Sequence, residues 1–263
     1  DGIPMNSGTM RAAFVAELGA ADAIRYGELP LPTPGASEVL VRVEAVTVDP
    51  VDTMIRAGRY STPVPMPFII GRDLAGTVVE PGSAQLGFVA GERVWCNSLG
   101  HDGRQGSFAE YASVPVERLY RLPDGVDPEV AVAVAHPAAT ACLAWFIHAR
   151  LRADEIVYVG GAGGNVGMAA LQMAAEAGAR VIASARQADH PRCLAAGAYA
   201  AVDYRDPSLA EHLVELAPDG IDVLWDTSGH HDLAVHPSIL AVGARILVTA
   251  SVSADVELPL RQL

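Results

Sequence analysis

The hydrophobic positions of this chain change their period about halfway along. Over residues 39–46 apolar and polar side chains alternate, Val39-Leu40-Val41-Arg42-Val43-Glu44-Ala45-Val46, the pattern of a strand with one face covered. A second run, Ala75-Gly76-Thr77-Val78-Val79, stops at the turn Glu80-Pro81-Gly82. Short runs at 92–95 and 108–111 follow, bounded by glycines, and each predicts a strand. Thirteen of the eighteen prolines lie at or before Pro137. The front half therefore predicts a turn-rich, partly open β-barrel.

From about Pro128 the units lengthen. The most apolar run, 130–149, predicts a buried helix rather than a membrane span, because His136 and Pro137 interrupt it and alanine dominates it. Strands are expected at 156–159, 180–184, 201–203, 221–225 and 245–249. Helices are expected between them at 166–177, up to Gly197, at 208–216 and at 232–240. Alternation of this kind implies a parallel, doubly wound sheet.

Composition narrows the chemistry. The formal charge is −13, which disfavours nucleic acid and anionic membranes as partners. Residues 1–10 are polar and lack a secretory pattern, and the three cysteines are far apart, which fits a reducing, cytoplasmic setting. All 18 basic residues are arginine. Without lysine there is no Schiff-base amine, no Gly-Lys-Ser/Thr phosphate loop and no Tyr-x-x-x-Lys pair; a Gly-x-Ser-x-Gly turn is missing too.

Between the strand at 156–159 and the helix at 166–177 lies Gly160-Gly161-Ala162-Gly163-Gly164-Asn165-Val166-Gly167. Small residues there let the backbone approach a pyrophosphate, and the helix N-terminus offers unpaired N–H groups. Ala162-x-Gly164-x-x-Gly167 is the nearest match to the dinucleotide fingerprint, so Gly161, Ala162, Gly164, Asn165, Val166 and Gly167 are candidate cofactor contacts. NAD-selective strands end in a carboxylate roughly 20 residues beyond the loop. Here the strand ends Ala183-Ser184-Ala185-Arg186, a hydroxyl and a guanidinium that suit a 2′-phosphate and so NADPH.

The order of these motifs resembles the medium-chain dehydrogenase/reductase family, in its quinone oxidoreductase (zeta-crystallin-like) branch. The carrying segments are Asp49-Pro50-Val51-Asp52, Ile55-Arg56-x-Gly58-x-Tyr60, Gly71-Arg72-Asp73-Leu74-Ala75-Gly76, Gly91-Glu92-Arg93-Val94, Gly106-Ser107-Phe108-Ala109-Glu110-Tyr111 and the glycine loop. The resemblance implies a GroES-like barrel domain over 10–131 and a Rossmann domain over 132–263, with the nicotinamide between them. It places Thr140 near the nicotinamide, Tyr204 near the adenine ribose and Tyr60 at the acceptor. It also implies several dozen further residues after the last strand, so the Rossmann domain is expected to be incomplete, and it allows a homodimer paired through a sheet edge.

The departures are informative. Asp49 stands where the family usually has Asn, and Met54 stands where some relatives carry a tyrosine. Zinc-dependent relatives have Cys at Asp49, His-Glu at Arg72-Asp73 and Cys near His136, so the corresponding set here would read Asp49, Arg72 or Asp73, and His136. A guanidinium at a ligand position repels a cation, so no metal is expected there. His230, His231 and His236 read as surface histidines rather than ligands. Without a metal, nothing activates a plain ketone or alcohol, and the expected partner is a small electrophilic acceptor, a quinone or conjugated enone. Asp49 and Tyr60 are the candidate catalytic groups for proton return, with solvent as the other source, and a salt bridge from Asp49 to Arg72 or another cleft arginine is the alternative role for that carboxylate. An enoyl-thioester reductase and a non-catalytic NADPH-binding sensor are the alternative functions.

Overall fold

The computed structural model describes residues 8–229 and 239–249, and the chain divides into two compact units, 1–136 and 137–263. The expected helix at 232–240 and the three histidines at 230, 231 and 236 lie outside the described residues, apart from the last two positions of that helix.

The first unit holds strands β1 (Thr9–Val15), β2 (Arg25–Pro30) and β3 (Glu38–Val46), helix α1 (Pro50–Arg56), then β4 (Phe68–Ile69), β5 (Leu74–Pro81), β6 (Arg93–Cys96), β7 (Tyr111–Pro115) and β8 (Tyr120–Arg121). Helix α2 (Pro128–Cys142) follows. Two antiparallel sheets form, ordered β2-β1-β4 and β7-β3-β5-β6-β8. The alternation in β3 puts Val39 and Val41 into the core with Leu74, Val78, Val94 and Val114. Gly76 is required there, since a Cβ would sit 2.1 Å from the Arg42 carbonyl oxygen across the β3–β5 pair.

Two expectations in this half need correction. The run at 108–111 is not a strand: β7 begins only at Tyr111, and Ala109 makes an isolated bridge to Ala12. The segment crosses between sheets, its backbone bonding to Ala13, Arg11 and Val43 in turn, so no single ladder contains it. Helix α2, which runs on into a π-helical turn over Leu143–Ala149, is also not buried throughout. Ala141, Ala144, Trp145 and Ala149 are buried, whereas Val130, Val134, Leu143, Phe146 and Ile147 are exposed. By length and composition this helix, 22 residues with mean hydropathy 1.8, could cross a membrane. A run that is apolar all round carries no polar face to say which side is covered.

The second unit alternates as expected: β9 (Ile156–Gly160), α3 (Asn165–Glu176), β10 (Arg180–Ala185), α4 (His190–Ala195), β11 (Ala200–Asp203), α5 (Leu209–Leu216), β12 (Ile221–Asp226) and β13 (Leu240–Val248). All pairs are parallel, in the order β11-β10-β9-β12-β13. β13 starts five residues before the expected 245, with a register irregularity against β12. Strands covered on both faces carry apolar runs, as β9 and β12 do. One face packs α3 and the π-helical turn, where the Trp145 indole N–H donates to the Ala170 carbonyl at 2.8 Å and meets Trp225 edge-on. The other face packs Leu213 of α5 on Tyr158, Ile182 and Leu224.

Candidate active site

The strand order of the second unit reverses between β9 and β12, the point at which ligands bind in open α/β sheets. The glycine loop leaves β9 there. Gly161 has φ +69°, a conformation that side-chain-bearing residues rarely adopt. Gly167 lies one turn into α3 against the loop, where a Cβ would be 2.2 Å from the Gly161 carbonyl oxygen. Gly164 caps α3 with exposed backbone, and Asn165 beside it is exposed, so the first-turn N–H groups face solvent. Ala162 is fully buried; its N–H donates to the Ser184 carbonyl at 3.0 Å, which ties the loop to β10. Val166 is partly buried against the core. Thr227, missed in the sequence, donates from its hydroxyl to the Gly160 carbonyl at 2.8 Å and fixes the far side of the loop.

Ser184 is a correction. Its side chain is 1% exposed and turned into the sheet toward the Tyr158 hydroxyl, so it cannot receive a 2′-phosphate. Strand β10 is covered on both faces, and alternation could not reveal this. Arg186 is exposed at the strand end, where its Nε and Nη2 donate to Asp189 Oδ2 at 3.1 and 3.0 Å. Arg192 of α4 reaches the same carboxylate at 3.7 Å and also bonds the Gly163 carbonyl. Asp189 lies beside the loop, its Oδ2 2.9 Å from where a Gly163 Cβ would stand. Two guanidiniums thus share one carboxylate at the edge of the loop. The spacing 186, 189, 192 was the only sequence signal for it. Tyr204 is half exposed, and its neighbours Asp203 and Arg205 line a groove of about 600 Å³ with Gln187 and His190. Thr140 lies on α2, part-buried.

In the first unit three aspartates are buried together. Asp49 precedes α1, and its backbone N–H donates to the Asp52 carboxylate at 2.8 Å. Asp73, fully buried at the start of β5, faces His136 Nδ1 at 3.5 Å, and Asp49 Oδ2 is 3.9 Å from the same nitrogen. Burial and the neighbouring Asp73 carboxylate push the Asp49 carboxyl up to about 7. Burial likewise raises Asp52 to about 6, and the hydrogen bond to Asp73 raises the His136 imidazole. Among the described residues Asp49 has no arginine ion pair, contrary to the alternative of a bridge to Arg72. The Arg72 guanidinium turns instead toward His101, Nη2 to Nε2 3.3 Å. Tyr60 sits on the turn after α1, 36% exposed, and among the described residues no hydrogen bond joins it to this cluster.

One oxygen each from Asp49 and Asp73 and a ring nitrogen of His136 lie within 4.8 Å of one another. Of the two alternatives at the middle position, Asp73 and not Arg72 joins Asp49 and His136, so the repulsion by a guanidinium there is no ground for expecting no metal. An O, O, N set of this spacing fits a divalent cation, which when bound would polarise an acceptor carbonyl. The same set also fits one or two shared protons.

Two family models match, the alcohol dehydrogenase GroES-like domain over residues 35–124 and the zinc-binding dehydrogenase domain over 165–263. The quinone oxidoreductase of Rattus norvegicus is 33% identical over 242 residues, covering 91% of this chain and 72% of the relative. Among solved structures, AibC matches with TM-score 0.88 at 26% identity, covering 98% of this chain and 79% of that one. The mycobacterial protein Rv1454c, complexed with NADPH, matches with TM-score 0.83 at 28% identity, covering 96% and 77%. The glycine loop at the sheet's switch point, the two-unit order and these likenesses agree, and the chain belongs to the medium-chain dehydrogenase/reductase family of oxidoreductases, in the branch of the quinone oxidoreductases.

Proposed function

We propose that this oxidoreductase uses NADPH to reduce a quinone or conjugated enone, with the Asp49 cluster returning the proton. NADPH supplies the hydride when bound. The observation that carries the reading is the pairing of Arg186 and Arg192 around Asp189: two positive charges against one leave a net cation at the loop edge, as a 2′-phosphate requires. The free N–H groups at the start of α3 suit the pyrophosphate. A rat quinone oxidoreductase and an NADPH-complexed mycobacterial protein among the relatives support the same choice.

For the acceptor, the chain's own groups supply a proton near neutral pH. Asp49 is protonated up to about 7 because its ionisation would put two carboxylates side by side out of water. Asp73 raises the His136 imidazole, which stands 3.9 Å from Asp49 Oδ2 and can reload it with a proton. A general acid works best with its ionisation near the working pH. The test is NADPH oxidation against quinones, enones, enoyl thioesters and saturated ketones. Turnover of quinones or enones, with kcat falling above about pH 7, supports the reading. Turnover of saturated ketones alone, or none with cofactor bound, contradicts it.

The metal-compatible spacing of Asp49, Asp73 and His136 favours one second reading, metal-assisted reduction of a carbonyl. In that case saturated ketones turn over and chelators stop the reaction.

A further inference from the structure

Three arginines converge on one histidine in the first unit, and none of these four side chains has been given a catalytic or cofactor-binding role above. Arg104 Nη2 lies 2.5 Å from His101 Nδ1, and Arg72 Nη2 lies 3.3 Å from Nε2. Arg118 stands close enough to both for its charge to be felt, and its Nη1 donates to the Ser98 hydroxyl at 3.1 Å. The arrangement is built by backbone, not by loose side chains. The Leu99 N–H bonds the Arg72 carbonyl, Gly100 bonds Gln105, and Gly103 bonds Pro63. Gly100 has φ +67°, and a Cβ there would meet the Gly71 carbonyl oxygen at 2.5 Å, so this loop has little freedom.

The charges do not balance. A chain with 31 acidic and 18 basic residues places three of its arginines together; the buried Asp52 feels the Arg72 charge, and among the described residues the two ion-paired carboxylates are Asp102 and Glu117, at 3.9 Å each. Both carboxylates are about two-thirds exposed and so weakly felt. His101 gives no relief, because burial and the three guanidiniums hold it neutral, down to about 4. A neutral imidazole accepts at one nitrogen only, yet guanidinium donors face both. The Nε atoms of Arg72, Arg104 and Arg118 are buried without hydrogen-bond partners. Meanwhile the Arg104 and Arg118 side chains keep 20% and 33% of their exposure, so the group opens to water.

We infer that Arg72, Arg104 and Arg118 around His101 form an oxyanion-binding site for a phosphate-class dianion. Guanidinium forks bond phosphate oxygens in pairs, and a dianion would offset the excess charge that the loop now holds together. The dianion could be carried on the acceptor as a phosphate ester or arrive as free phosphate. Neither case rests on the cofactor assignment.

The experiment follows the His101 ring by NMR, assigned through His101→Gln, while inorganic phosphate is added at constant ionic strength. Phosphate should bind with a Kd of the order of 1 mM or tighter. It should also raise the ionisation midpoint of His101 by about one pH unit or more, because a dianion replaces repulsion with attraction. Arg104→Gln with Arg118→Gln should weaken binding at least about tenfold. Arg186→Glu, which disables the cofactor edge, should leave the His101 response unchanged, so the two readings fail separately. A KM lower for a phosphate-bearing enone than for its dephosphorylated form assigns the ligand to the acceptor; equal KM values with the His101 response intact assign it to free phosphate. No movement of the His101 ring, or the same movement with chloride, overturns the site. The wild-type titration decides this even where the double variant does not fold.

Discussion

Replacing Asp49 by Asn should make the protein more stable at neutral pH, and the gain should vanish in acid. The wild-type carboxyl ionises at about 7 in the fold against an ordinary value of 3.8. Between those values the folded chain holds a proton that the unfolded chain has released, so stability falls as pH rises from 3.8 to about 7 and is level above. The interval corresponds to at most about 4 kcal/mol. One effect reduces what Asn recovers: the variant gives up the attraction between Asp49 and His136. About 1–3 kcal/mol is expected above pH 7, or several degrees in Tm at roughly 2–4 °C per kcal/mol. Asn still serves at the start of α1, so the helix cap is not a confounding loss. The assay is calorimetry from pH 5 to 8 on protein dialysed against a chelator. A variant less stable at every pH, or a gain that does not change with pH, would refute the reasoning.

Arg186→Glu and Arg192→Glu should each weaken NADPH about tenfold or more while sparing NADH, measured by fluorescence titration, since each removes one cation from the pair around Asp189. Equal affinity for both cofactors in the wild type would sink the NADPH assignment. Gly167→Ala should abolish cofactor binding and cost about 1–3 kcal/mol of stability, because its Cβ meets the Gly161 carbonyl; a variant that binds normally contradicts the packing role. Elemental analysis should find well under one metal ion per chain and chelators should leave activity intact; one tightly held zinc favours the metal-assisted reading.

How far the sequence reached depended on whether the information was local. The alternation of β3 and the strand–loop–helix order around Gly160–Gly167 needed only neighbouring residues, and both were legible. Ser184 was not, because β10 is apolar on both sides and its register alone decides where that hydroxyl points. Nor were the start of β7, which depends on where two sheets hand over a backbone, and the early start of β13 past a register irregularity. The Asp49–Asp73–His136 cluster joins residues far apart in the chain. The family resemblance aligned these positions, but the turn of Arg72 toward His101, which makes Asp73 the third member, is a side-chain event no spacing records.

That turn also explains why the departures at Asp49 and His136 belong together. A second buried carboxylate beside Asp73 would be costly alone, since like charges out of water repel strongly. An imidazole at 3.5 Å from Asp73 and 3.9 Å from Asp49 answers both, provided that it carries a proton or a metal takes its place. Were Arg72 directed at Asp49, its fixed charge would favour the ionised carboxylate there and oppose proton donation near neutral pH. Because the guanidinium instead meets His101, the cluster keeps an exchangeable proton, and the arginine is left among cations that call for an anion. The proton store and the oxyanion site are thus two consequences of one side-chain orientation.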